Sequence, residues 1–96
     1  MNQVVLTACI AQASVLRYTP AGLPALDFRL EHESELTEAG QQRQVKVAVK
    51  AVAFGGVAET LGQQAIGSHC KFTGFLATPR NGKHPVLHIQ SFSKTS

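Results

Sequence analysis

The sequence predicts a small all-β barrel of five short strands, with one short helix between the third and the fourth. Three observations carry this. Apolar and polar residues alternate with a period of two over 26–31 and again over 44–50, the spacing of half-buried strands. Proline and glycine punctuate the chain at Pro20, Gly22 and Pro24, at Gly55-Gly56, and at Pro79 and Gly82, where the backbone reverses with least strain. Over 57–64, Val57, Ala58 and Leu61 take helical spacing, and Gly62 limits that helix to one or two turns.

The elements follow in order. Residues 4–10 are β-branched and apolar and read as a buried first strand. Thr19-Pro20-Ala21-Gly22 makes a tight reversal, because proline fixes φ and glycine admits the left-handed region. In the second strand Leu26, Phe28 and Leu30 face one side, and Asp27, Arg29 and Glu31 the other. Residues 34–42 are polar and acidic, carry Gly40, and read as a flexible loop. The third strand sets Val45, Val47 and Val49 against Gln44, Lys46 and Lys50, which gives it a basic outer face.

The fourth strand covers 68–78, with Phe72, Gly74 and Leu76 opposite Lys71, Thr73 and Phe75. A glycine inside a strand marks a bulge or sharp bend. Pro79-Arg80-Asn81-Gly82-Lys83 forms a hairpin tip whose strongest signal is Asn-Gly. The fifth strand runs from about Pro85 to Phe92, Leu87 and Ile89 inward, His88 and Gln90 outward. This order describes an OB-fold, a five-stranded, partly open Greek-key barrel, with residues 1–96 as one domain. A small β-sandwich would want more strands.

A chain of 96 residues buries about 60–65% of the surface its unfolded form exposes, so self-association would help it. Apolar residues at 44% and charged residues at 16% fit a folded domain and exclude disorder. No segment nears the roughly 20 apolar residues of a membrane helix, and the N-terminus shows no secretory signal. Cys9 and Cys70 lack C-x-x-C spacing, which fits free thiols in a cytoplasmic protein.

Catalysis finds little support. His32, His69, His84 and His88 are scattered, without Ser, Cys or Asp at a spacing that implies a site, and read as surface or packing residues. Cys9, His69, Cys70 and His88 lack the short paired spacing of zinc ligands. Gly55-Gly56 lacks the phosphate-loop and dinucleotide signatures. The glutamates of 31–38 lack a calcium-loop pattern. The expectation is no enzyme, no metal and no cofactor.

Charge says more. The net charge is +3, yet residues 31–42 hold four glutamates and no Lys or Arg, whereas 43–96 hold seven basic residues against Glu59 alone. Such a bias suits a polyanion; it also suits a solvated, unevenly charged surface. A single strand of nucleic acid needs cations along its backbone and flat side chains under its bases. In an OB-fold the ligand lies over strands two and three and the loops one–two and four–five. Arg43, Lys46 and Lys50 on the third strand and Arg80 and Lys83 at the tip fall there, with Arg17 and Tyr18 at the edge. The chain has no Trp; Phe28, Phe72 and Phe92 read as core, leaving Tyr18, Phe54 and Phe75 as stacking candidates.

Asn2-Gln3-Val4-Val5-Leu6, Leu16-Arg17-Tyr18-Thr19-Pro20-Ala21-Gly22 and Phe28-Arg29-Leu30 resemble the bacterial single-stranded-DNA-binding proteins. Gly22-Leu23-Pro24, Leu30-Glu31-His32, Glu38-Ala39-Gly40, Arg43-Gln44, Arg80-Asn81-Gly82 and Val86-Leu87-His88 narrow the resemblance to the primosomal replication protein N family. The end at Ser96 points the same way, since the replicative relatives continue into a long tail. The resemblance implies an OB-fold homodimer in the bacterial cytoplasm that binds single-stranded DNA, the restart helicase PriA and other primosome proteins, without membrane, cofactor or catalysis.

The chain departs from that family's best-known member. Gln41 and Lys46 stand where it has aromatic residues, and Glu33 and Thr78 where it has basic ones. Weak, salt-sensitive DNA binding is therefore expected, because phosphate contacts outweigh stacking. Three readings stay open: a primosomal module that binds DNA and helicase, a dimeric protein-interaction module with a decayed DNA groove, and a minimal single-strand binder.

Overall fold

The computed structural model describes residues 1–95. Among these residues run six strands and one helix: β1 Val4–Ala13, β2 Arg17–Tyr18, β3 Pro24–Glu38, β4 Gln41–Phe54, α1 Gly56–Leu61, β5 His69–Ala77 and β6 Val86–Lys94. The five expected strands are all present, and the helix falls where expected. The extra element, β2, is a two-residue strand paired with Pro24 and Ala25.

The sheet order β1-β5-β6-β4-β3, with a further β1–β3 pairing, closes the sheet on itself as the OB-fold does. The first half of β1 pairs with β5 and the second half with β3. The register shifts between Ile10 and Gln12, so the strand bends from one neighbour to the other at a bulge. Closure between β4 and β6 is parallel, through Ala51↔Leu87 and Val52↔His88.

Alternation sorts the side chains as expected. Leu26, Phe28 and Leu30 are buried while Asp27, Arg29 and Glu31 are exposed. They meet Ala8, Ile10, Ala51, Ala53, Cys70, Phe72, Leu87 and Ile89 in one core. Ala58 and Leu61 of α1, both fully buried, join that core from the helix.

The Gly74 expectation holds: the β5–β6 register shifts between Thr73 and Gly74. A Cβ on Gly74 would lie 1.8 Å from the His88 carbonyl oxygen, so only glycine lets the strands approach this closely.

Two expectations are corrected. Residues 34–42 are not a loop: β3 runs to Glu38 and β4 starts at Gln41, paired without interruption. The turn is only Ala39-Gly40, both at positive φ (52° and 77°), as a type I′ hairpin demands. Polar composition suggested a loop, but cross-strand partners hold the arm: Lys46 lies 3.9 Å from Glu33, Arg43 3.0 Å from Glu38, and the Gln44 amide donates to Glu33 at 2.6 Å. The molecule is accordingly elongated, 50 × 32 × 22 Å. The link between β5 and β6 falls where the hairpin tip is expected, but Asn-Gly does not form the centre of its turn. It spans 78–85, and its turn closes one position earlier, the Gly82 amide donating to the Pro79 carbonyl at 3.0 Å. That places Gly82 last in a β-turn rather than at its centre.

Candidate nucleic-acid interface

Register decides which side chains share a face, because directly paired residues project to the same side and neighbours alternate. On the outside of the barrel, Lys50 pairs with Arg29, Val52 with Asp27 and Phe54 with Ala25 across β3–β4. Val52 also aligns with His88 of β6, and His88 with Phe75 of β5. One outer face therefore runs from Arg29 and Lys50, through Val52 and Phe54, to His88 and Phe75.

Rings meet at the middle of this face. His88 and Phe75 are stacked, centroids 4.8 Å apart and planes 16° apart. Phe54 lies 5.9 Å from His88 on the other side, tilted by 32°. Phe54 is exposed, and Phe75 and His88 are half-buried. The 78–85 link springs from the same end of β5 and β6, carrying Arg80 and Lys83, both exposed. Lys50 and Val86 line one groove with Arg29, Asp27 and Gln12, so the link ends beside the Lys50 stretch.

The sequence-predicted residues divide. Phe75 belongs to the ring cluster, Lys50 lies on the same outer face, and Arg80 and Lys83 are carried by the link at the ring end of β5 and β6. Arg17 aligns with Ala25 and so shares this face at its edge. It is held by Asp27 through Nε–Oδ2 at 3.1 Å and Nη2–Oδ1 at 3.2 Å, and that carboxylate pushes the guanidinium pKa further above its usual value. Tyr18 aligns with Pro24 and projects from the opposite side, 66% exposed. Lys46 shares the outer face but stands on the arm against Glu33, beside a groove lined by Glu31 and Glu33. Arg43 aligns with Leu36 on the other face, paired to Glu38.

Three of the predicted cations, Arg17, Arg43 and Lys46, thus have carboxylate partners, while Arg29 lies 4.0 Å from Glu31. Surface pairs of this kind are weak in energy, but they offset charge that would otherwise face a phosphate. Arg29 and His88 were not singled out from sequence. Arg29 alternates outward opposite Lys50, a relation visible only once strand pairing is known, and His88 gains its meaning from Phe75, thirteen residues away in sequence.

Among the described residues no cluster of three His, Cys, Asp or Glu is placed to hold a metal. Cys70 is fully buried and Cys9 partly so, both as free thiols, and burial pushes the Cys70 thiol pKa up. No helix among the described residues is long and apolar enough to cross a membrane.

A family model described as "another single-strand binding protein family" matches residues 2–91. The replication restart protein PriB of Bordetella pertussis is 43% identical over 91 residues, covering 94% of this chain and 85% of its own. The solved structure of PriB from Ralstonia solanacearum superposes with a TM-score of 0.91 at 33% identity, covering 100% of this chain and 99% of that one. The wild-type single-stranded DNA binding protein of Thermus aquaticus superposes with a TM-score of 0.80 at 25% identity, covering all of this chain and 50% of that one.

Proposed function

Because the chain belongs to the family of the replication restart protein PriB, a branch of the single-strand binding proteins, we propose that it binds single-stranded DNA in replication restart. The strand lies along the outer face built by β3, β4, β5 and β6. One observation carries this reading: Lys50 and the Phe54–His88–Phe75 rings share one outer face, and the link that bears Arg80 and Lys83 springs from the ring end of β5 and β6. Cations beside exposed rings are what a single strand requires. Arg17 flanks this path, Tyr18 projects away from it, and Lys46 and Arg43 contribute least, being paired on the arm.

With about three cations on the path that have no carboxylate partner among the described residues, the log–log slope of affinity against salt is about −2 for a single strand. A fluorescent-oligonucleotide titration between low and moderate salt measures it, and a slope near zero overturns the electrostatic groove. This weak, salt-sensitive mode follows from Gln41 and Lys46, which stand where the family's best-known member has aromatic residues.

The protein partners belong to the same reading: the restart helicase PriA with other primosome proteins in the cytoplasm, and a second copy of this chain. The second copy is favoured by β1, whose first half pairs with β5 on one edge only and carries Val5 58% exposed. Sedimentation at micromolar concentration tests it; a monomer overturns it. A protein-interaction module with little DNA binding is the second reading, favoured by the exposed Leu36 and Val47 on one side of the arm. Helicase stimulation that survives loss of oligonucleotide binding would select it.

A further inference from the structure

We propose that Asn81 is a spontaneous deamidation site, and that its conversion to a carboxylate lowers the positive charge of the link between β5 and β6. The chain has two asparagines, Asn2 and Asn81, and the fold treats them in opposite ways. Asn2 is locked: its Nδ2 donates to the Leu76 carbonyl at 2.6 Å, and the Leu76 amide donates to its Oδ1 at 2.9 Å. The side-chain amide thereby stands in for a peptide group just beyond the Val4↔Gly74 end of the β1–β5 ladder, and Gln3 follows it with a full side chain. Asn81 is exposed, as is every residue of 78–85, and a glycine follows it.

The chemistry needs no reactant but water. The Gly82 backbone nitrogen gives its proton to solvent base and bonds to Asn81 Cγ. The Cγ–Nδ2 bond breaks, ammonia leaves, and a five-membered succinimide remains. Water then opens the ring. Cleavage between the Gly82 nitrogen and Cγ yields aspartate; cleavage between that nitrogen and the Asn81 backbone carbonyl carbon yields isoaspartate. Either way, a neutral amide and water become a carboxylate and ammonium. Glycine opens this route because it has no side chain to block the approach of Cγ. The hydrogen bond from the Gly82 amide to the Pro79 carbonyl, at 3.0 Å, holds the reaction back, and among the described residues it is the one backbone bond within the link. A solvent-exposed turn bond of this kind opens readily. The turn also keeps its glycine, since a Cβ there would lie 3.2 Å from the Pro79 ring. The new carboxylate falls between Arg80 and Lys83 and takes the formal charge of 78–85 from +2 to +1. Its effect on binding rests on the single-stranded DNA reading; the modification itself does not.

For the test, wild-type protein is aged at mildly alkaline pH and cleaved after glutamate, which leaves Asn81 as the one asparagine of the fragment 60–96. An isoaspartyl methyltransferase with a labelled methyl donor should mark that fragment and leave the one that holds Asn2 unmarked. Asn81→Gln, whose longer side chain must close a six-membered ring, should stay unmarked and bind like fresh wild type. Fresh Asn81→Asp, and the deamidated fraction separated by ion exchange, should bind a deoxythymidine oligonucleotide more weakly, with a salt slope shallower by about 0.7. An unmarked 60–96 fragment overturns the site, as does equal labelling of the Asn2 fragment. Wild-type affinity in Asn81→Asp overturns the effect on the link; if Lys50→Glu still loses binding in that case, the DNA reading stands. A fresh wild-type chain that binds no oligonucleotide at low salt overturns the DNA reading and the effect on the link with it, while the labelled fragment still decides the site.

Discussion

His32 joins β3 to the free edge of β1: its Nδ1 lies 2.6 Å from the Thr7 carbonyl oxygen, and its Nε2 lies 2.9 Å from the Ser34 hydroxyl. The neutral tautomer that satisfies both donates from Nδ1 and accepts at Nε2. The contact sits where β1 and β3 part, just beyond the Cys9↔Glu31 pair, and so ties down the root of the arm. His32→Ala should cost about 1–2 kcal/mol, read from urea unfolding. It should also speed amide exchange in the arm ahead of the barrel. Equal exchange in both would show that the arm does not depend on this bond.

The turn of the arm carries strain. Ala39 adopts φ 52°, a region that a Cβ disfavours and Asn tolerates. Ala39→Asn should raise stability by about 1 kcal/mol, seen as a higher urea midpoint with an unchanged slope. A lower midpoint would mean that the turn is not left-handed in solution.

Gly74→Ala sets a methyl group against the His88 carbonyl. The β5–β6 ladder must spread to admit it, so a loss of about 2–3 kcal/mol is expected. Gly56→Ala, where an added Cβ meets nothing within 4 Å, is the control and should change stability by less than about 0.5 kcal/mol. Calorimetric melting of both variants separates steric conflict from a general glycine effect.

Charge reversal should sort the basic residues by face. Lys50→Glu and Arg80→Glu should each weaken oligonucleotide binding and reduce the salt slope by about 1. Arg43→Glu removes a cation that lies on the opposite face and is already paired to Glu38. It should alter affinity less than about twofold. Parallel losses in all three variants would point to net charge rather than to one face.

The Cys70 thiol, its pKa raised by burial, links stability to alkaline pH. The unfolded thiol ionises first, at about pH 8.5. The stability this group contributes is therefore complete below that value and is lost as pH rises from there towards the folded pKa. The urea midpoint should fall between pH 7.5 and 9.5, and fall less in Cys70→Ala. Equal slopes in the two proteins would remove the thiol from the account.

The barrel was legible in the sequence because its strands alternate: Leu26, Phe28 and Leu30 announce an inward face without knowledge of any partner. Gly74 likewise declared its bulge. The arm was illegible, since Ser34, Glu35, Gln42 and Gln44 lack apolar periodicity and are held by pairing between strands. Of the proposed interface, Lys50, Phe75, Arg80 and Lys83 were named by residue type and topology, whereas Arg43 and Lys46 looked equivalent to Lys50 until register put one on the other face and each against a carboxylate. The ring cluster depends on the β4–β6 and β5–β6 alignments, which no local pattern encodes.

The barrel closes between β4 and β6 through only two aligned pairs, Ala51↔Leu87 and Val52↔His88. That join is the narrowest seam in the wall, and the rings straddle it, Phe54 on one bank, His88 and Phe75 on the other. A ligand laid across them acts as a suture: parting the seam would require tearing it from one bank. Occupancy should therefore slow hydrogen exchange first at Ala51, Val52, Leu87 and His88, far from the arm and from the core beneath α1. The face proposed to carry the strand is also the place where a bound strand would hold the barrel shut.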